Sequence, residues 1–159
     1  MLMVSSMNGV AFGTNQHAAY GASKGALVGL TREIALEGRA FGINVNALLP
    51  GAMTTMLQTV TAYDSPTIDL NPALVAPVAA WLVHEQCETT GALINASSAR
   101  VGRLITCLGT GFQSTPDAFT LEDVRAKWAL ALDADNPTRI DTVSDYNNFR
   151  TERYLNAKR

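Results

Sequence analysis

Tyr20 and Lys24 stand four residues apart in the run Tyr-Gly-Ala-Ser-Lys. On a helix that spacing puts a phenol and an ammonium one turn apart on one face. A free phenol is a poor base at neutral pH, with about one part in a thousand ionised. An ammonium about 5 Å away, at an effective dielectric of about 20, favours the phenolate by roughly 3 kcal/mol, so such a pair suits proton transfer to and from an oxygen. A serine hydroxyl nearby could donate a hydrogen bond to the same oxygen as charge develops, and Ser5-Ser6 precede the pair. The bare spacing is cheap, because it recurs at Tyr154 and Lys158 with no serine before it. Other chemistry-bearing residues read as structural. His17 reads as a solvated loop histidine, although it lies near enough to Tyr20 to approach a shared ligand. His84, Glu85 and Cys87 lack ligand spacing, and two cysteines with two histidines build neither a CxxC site nor a zinc site. Gly109-Thr-Gly111 begins like a phosphate loop but runs into Phe112-Gln113-Ser114 with no prompt helix.

The elements that must position these residues can be read in order. Residues 1–4 are a short apolar strand, and residues 5–17, rich in Gly, Ser and Asn, are a loop leading into a helix. Residues 18–37 are helical, with Leu27, Leu30 and Ile34 on one face and Gly38 at the expected C-cap. Gly21, Gly25 and Gly29 each cost about 1 kcal/mol relative to Ala in a helix interior, so close approach of another backbone is the expected compensation. A second strand spans 43–49 and is expected to end on Pro50-Gly51, with Asn46 satisfying backbone groups inside the sheet. Residues 57–73 read as a mobile surface loop, 74–87 as a helix that tolerates Pro77 in its first turn, and 92–96 as a short strand. Strand and helix alternate, which is the α/β pattern. After a linker at 113–116, Thr120 and Asp123 mark a helix start, and Leu121, Val124, Trp128 and Leu132 form an apolar stripe expected to pack on its own domain. Beyond Asn136 the polar tail has little to hold it.

The chain has 159 residues, 47% hydrophobic and 16% charged, with a net charge of −2. That balance fits a globular chain with a real core and disfavours a nucleic-acid binder, which needs clustered Lys and Arg. Four apolar residues before Ser5 make neither a signal peptide nor a membrane span.

Taken together, a strand ending in Ser-Ser, a loop, Tyr-x-x-x-Lys opening a helix rich in small residues, and a strand closing on Pro50-Gly51-Ala-Met-Thr-Thr55 resemble the short-chain dehydrogenase/reductase family over residues 1–57. The resemblance implies an α/β fold, namely part of a Rossmann-type doubly wound parallel sheet: its last three strands and their helices. Residues 1–112 would be the catalytic half and 113–159 a C-terminal extension. By the same resemblance Tyr20 is the acid/base, Lys24 binds the nicotinamide ribose and stabilises the tyrosinate, and Ser6 orients the substrate oxygen. Thr55 would hold the carboxamide, with Pro50 and Gly51 lining the cofactor. The gap from Ser6 to Tyr20 is one residue longer than the commonest family spacing, which leaves Ser5 as the alternative to Ser6 and places a small insertion near residues 10–12.

The expected activity is interconversion of a secondary alcohol and a ketone with NAD or NADP. Residues 74–130 resemble the dehydrogenase domain of multifunctional peroxisomal β-oxidation enzymes, which implies a 3-hydroxyacyl-CoA or a similarly bulky substrate. Homo-oligomers through the Tyr20 helix are expected, with no nucleic-acid or membrane partner. The last four residues, Asn-Ala-Lys-Arg159, are no peroxisomal address, so a cytoplasmic protein is expected. No glycine-rich strand-to-helix turn precedes Ser5, so the nucleotide-binding half is expected to be absent, the first strand to be an open edge, and catalysis by this chain alone to be weak. The alternative is a non-catalytic remnant or interaction module that kept the fold.

Overall fold

A computed structural model describes residues 1–55 and 68–157. The mobile loop expected at 57–73 lies for the most part outside the described residues. The chain divides into two compact units, Met1–Leu104 and Ile105–Arg159, and the 113–116 linker falls inside the second.

The first unit is a four-stranded sheet in the order β1 (Leu2–Val4), β2 (Asn46–Gly51), β3 (Leu93–Ser97), β4 (Arg100–Leu104). The first three strands are parallel, in the registers Met3↔Ala47 and Ala47↔Leu93, and β1 is an edge. Parallel neighbours need crossovers, and the first is α1 (Ala18–Gly38). One face of the sheet buries Ala47, Leu49 and Leu93 against Val28 of α1. The other buries Leu48 and Ala96 against Val75, Leu82 and Cys87. Asn46 is fully buried; its amide donates to the Thr89 carbonyl at 2.7 Å and its Oδ1 accepts from the Ala92 N–H at 3.1 Å, so it joins backbone groups as its place in an apolar run suggested.

Several boundaries differ from the sequence reading. Gly38 does not cap α1: its φ is −68°, the helix passes through it into a 3-10 turn, and Gly42 at φ 67° is the left-handed stop. Gly38 is needed for space, because a Cβ there would lie 2.9 Å from the Ile43 carbonyl oxygen. β2 starts at Asn46 rather than Ile43 and takes Pro50 and Gly51 as its last two residues, paired with Ala96 and Ser97. The helix expected over 74–87 shrinks to α2 (Ala76–Leu82), preceded by a 3-10 turn at Pro72–Leu74 that the Asn71 side chain caps. Past Leu82 the chain turns, with the His84 Nδ1 accepting from the Gln86 N–H. β4 was not legible at all. It returns antiparallel through a tight turn in which Ser98 and Ala99 have φ of 50° and 60°, a conformation usually signalled by Asn or Gly.

The second unit contains α3 (Leu121–Ala131), a short ribbon of β5 (Cys107–Leu108) with β6 (Thr138–Arg139), and α4 (Val143–Ala157). Thr120 caps α3 by accepting from the Asp123 N–H at 3.2 Å. The polar tail is ordered by the same device: the Asp145 carboxylate accepts from the N–H groups of Asp141 and Thr142, and the Thr142 hydroxyl accepts from the Asp145 N–H. The α3 stripe does not find the packing expected for it, since Leu121 is 78% and Leu132 67% exposed. Ser114, buried, donates to Asp123 and accepts from the Lys127 ammonium at 2.9 Å, which also pairs with Asp123 at 2.7 Å. Lys127 first and Ser114 second hold the Asp123 carboxyl below the usual carboxylate range. Among the described residues no helix is long and apolar enough to cross a membrane.

Candidate active site

Ser5, Ser6 and Thr55 follow the ends of the parallel strands β1 and β2, the edge at which open α/β sheets present their ligands. Ser5 and Ser6 leave the end of β1, and their hydrogen bonds differ. Ser5 is 2% exposed, and its hydroxyl donates to the Lys24 carbonyl at 2.7 Å, fastening the strand end to α1. Ser6 is half-buried, and its Oγ accepts from the Asn8 N–H at 3.2 Å, which leaves its own hydrogen for another acceptor.

Tyr20 sits in the first turn of α1, half-buried. One turn later the Lys24 ammonium stands 5.7 Å from the centre of the phenol ring and donates to the Val4 carbonyl at 2.9 Å. An ammonium has three donors, so two remain beyond the one given to Val4. The same residue thus meets Tyr20 and the strand end that carries Ser6.

The loop between β1 and α1 supplies what the helix glycines require. A Cβ on Gly21 would lie 3.4 Å from the Gly9 Cα, and one on Gly25 would lie 3.0 Å from the Gly9 carbonyl oxygen. Gly9 itself has φ 84°, and any side chain there would collide with the Gly21 backbone. The close-packed backbone expected for this ridge is therefore the chain's own loop, while Gly29 faces open space. Gly9 was missed as a supporting residue, although Asn8-Gly9 is a turn signal. In the stretch around the expected insertion, Ala11 N–H donates to the Met7 carbonyl at 2.9 Å.

Pro50 and Gly51 lie two and three residues past Leu48, the β2 residue paired with Val4, and both are half-buried. A side chain on Gly51 would meet the Ser97 Oγ at 2.6 Å, so only glycine fits beside β3. Thr55 follows β2 and is exposed. Tyr154, the second copy of the motif, lies on α4 in the other unit; Lys158 is outside the described residues. An open groove of about 380 Å³, lined by Gln113, Arg150, Thr151 and Tyr154, lies in that second unit and takes no residue from the Tyr20 site. No group of three or more metal-binding side chains occurs among the described residues.

Residues 1–65 match the short chain dehydrogenase family. Peroxisomal multifunctional enzyme type 2 of Mus musculus is 33% identical over 147 residues, covering 91% of this chain and 20% of its own length. A putative short-chain type dehydrogenase/reductase of Mycobacterium tuberculosis is 35% identical over 137 residues, covering 84% of this chain and 46% of its own length. The structure of full-length peroxisomal multifunctional enzyme type 2 from Drosophila melanogaster superposes with a TM-score of 0.76 at 28% identity, over 95% of this chain and 27% of that one. Residues 1–65 carry the short chain dehydrogenase pattern, and over most of its length the chain is similar to oxidoreductases of that family. It spans less than half the length of these relatives.

Proposed function

We propose that this chain carries the catalytic centre of an NAD(P)-dependent oxidoreductase that interconverts a secondary alcohol and a ketone, with a 3-hydroxyacyl-CoA as the substrate class. The observation that carries the reading is Lys24, which holds one donor against the end of β1 while standing over Tyr20. The substrate class draws support from the relatives, several of which are named as peroxisomal multifunctional or hydratase-dehydrogenase-epimerase enzymes.

The residues present suit the nicotinamide riboside end of such a cofactor. Two free donors on Lys24 match ribose hydroxyls, and Thr55 with the Pro50-Gly51 backbone offers partners for a carboxamide. When bound, the nicotinamide supplies the hydride acceptor or donor. Tyr20 takes the proton from the alcohol oxygen, or returns it, while Ser6 donates a hydrogen bond that holds that oxygen as its charge changes. Lys24 stands one turn along the helix, its ammonium 5.7 Å from the centre of the phenol ring. Ser5 serves the site indirectly, by fixing α1 on β1.

Self-association through α1 is part of the proposal. Its support is the exposed Leu30 and Leu36 on that helix rather than the glycine ridge, most of which the loop occupies. Titration calorimetry with NAD and NADP, paired with turnover of a 3-hydroxyacyl-CoA, tests the whole reading. Micromolar binding and turnover abolished by Tyr20→Phe support it; binding without Tyr20-dependent turnover, or no binding by any form of the chain that folds, sinks it in favour of a non-catalytic module.

A further inference from the structure

Tyr20 has a second neighbour, this one aromatic, that the Tyr-Lys pair does not account for. The His17 ring centre lies 6.1 Å from that of Tyr20, with the planes at 89°. His17 stands one turn before the phenol and Lys24 one turn after it, so the ring has an ionisable nitrogen group on either side along the helix. The imidazole is itself held: its Nδ1 lies 2.7 Å from the Asn15 carbonyl oxygen. A carbonyl oxygen only accepts, so Nδ1 carries the hydrogen, and the neutral ring keeps Nε2 as a bare acceptor.

The backbone around it is built as well. Gln16 takes φ 61°, a conformation unfavourable for any residue with a Cβ. The His17 N–H donates to the Thr14 carbonyl at 3.3 Å, and its own carbonyl accepts from the Gly21 N–H at 2.7 Å.

The geometry points to His17 as a positioning residue for Tyr20, an inference that rests on the acid/base reading of that phenol. The neutral imidazole fixes the plane of the phenol by an edge-to-face contact. The groups that face the imidazole are the Asn15 carbonyl and the Tyr20 ring, with the Lys24 ammonium on the phenol's other side along the helix.

The test is NMR of the chain labelled in its His and Tyr rings, for the parent, His17→Phe and His17→Leu. Tyr20→Phe assigns the Tyr20 signals. His17→Phe should keep the Tyr20 ring signals near their parent positions, whereas His17→Leu should displace them. In the cofactor-loaded enzyme, His17→Leu should lower kcat by about 2- to 10-fold with KM unchanged, and His17→Phe should restore it. Tyr20 signals that stay in place in His17→Leu, or a His17→Phe variant that restores nothing, overturn the inference. Signals that follow His17 while Tyr20→Phe leaves turnover intact would uphold the contact and remove the acid/base reading instead.

Discussion

The two units of this chain solve the same problem with different materials. In the first, Val45, Ala47, Leu49 and Ala96 are fully or almost fully buried, and the site hangs on backbone contacts too close to admit a Cβ. In the second, no residue of α3 or α4 is buried, and order comes from side-chain hydrogen bonds: Thr120 and Thr142 at the helix starts, and Ser114, Asp123 and Lys127 in one cluster. A buried scaffold positions reacting groups rigidly, whereas capped surface helices are cheap to alter. The two Tyr-x-x-x-Lys copies make the contrast concrete, since one begins a helix packed on a sheet and the other lies on a helix with no buried residue.

Five experiments sharpen or break that contrast, starting with the largest effect. Tyr20→Phe should lower kcat by about 10²- to 10⁴-fold in the cofactor-loaded enzyme, while Tyr154→Phe leaves it within about twofold. Equal losses from both would erase the distinction between the copies. Asn46→Ala should cost about 2–4 kcal/mol in urea unfolding of the first unit, because it strands the Thr89 carbonyl and the Ala92 N–H inside the sheet. Gly9→Ala should cost about 2–3 kcal/mol by the same assay and loosen α1, through its positive φ and its collision with Gly21; a neutral result would mean the loop is not seated on the helix.

The fourth concerns acid. Lys127 and Ser114 hold the Asp123 carboxyl low, so its stabilising contribution is complete above about pH 4 and disappears as pH falls through the lowered folded-state value. Asp145, held low first by the Thr142 hydroxyl, follows the same sign. Helicity of α3 in Asp123→Asn should be insensitive to acid over that range, and a variant that melts in parallel with the parent would discount the cluster. The smallest effect is Leu121→Ser, which should change stability by less than about 0.5 kcal/mol because the side chain is already in solvent. A loss above about 1 kcal/mol would reveal that something covers that face.

The parallel core was legible because its signals are local and redundant: apolar runs, small residues on α1, and turn chemistry at defined places. Asn46 was read correctly from its position within an apolar run. What escaped was decided by pairing rather than by local preference. β4 follows a turn of Ser98 and Ala99 with positive φ, where nothing in the residue types announces a hairpin. α4 looked like unsupported polar tail because its start depends on reciprocal bonds between Thr142 and Asp145. For the site, the Tyr20 and Lys24 spacing was visible, but the different hydrogen bonds of Ser5 and Ser6 needed the Lys24 carbonyl to be located, and Gly9 gains its place only from its distance to Gly21.

The mixed sheet also sets an order of events as the chain is made. β3 and β4 are joined by a two-residue turn, so they can close as soon as both exist, with little loop entropy to overcome. β1 waits for Asn46, and β2 in turn waits for Leu93, each separated from its partner by a whole crossover. At ordinary synthesis rates of about 5–20 residues per second β1 and β2 emerge on the order of several seconds apart. The strand ends that flank the candidate site thus pair later than the antiparallel hairpin on the far side of the sheet, which is the natural nucleus on which they assemble.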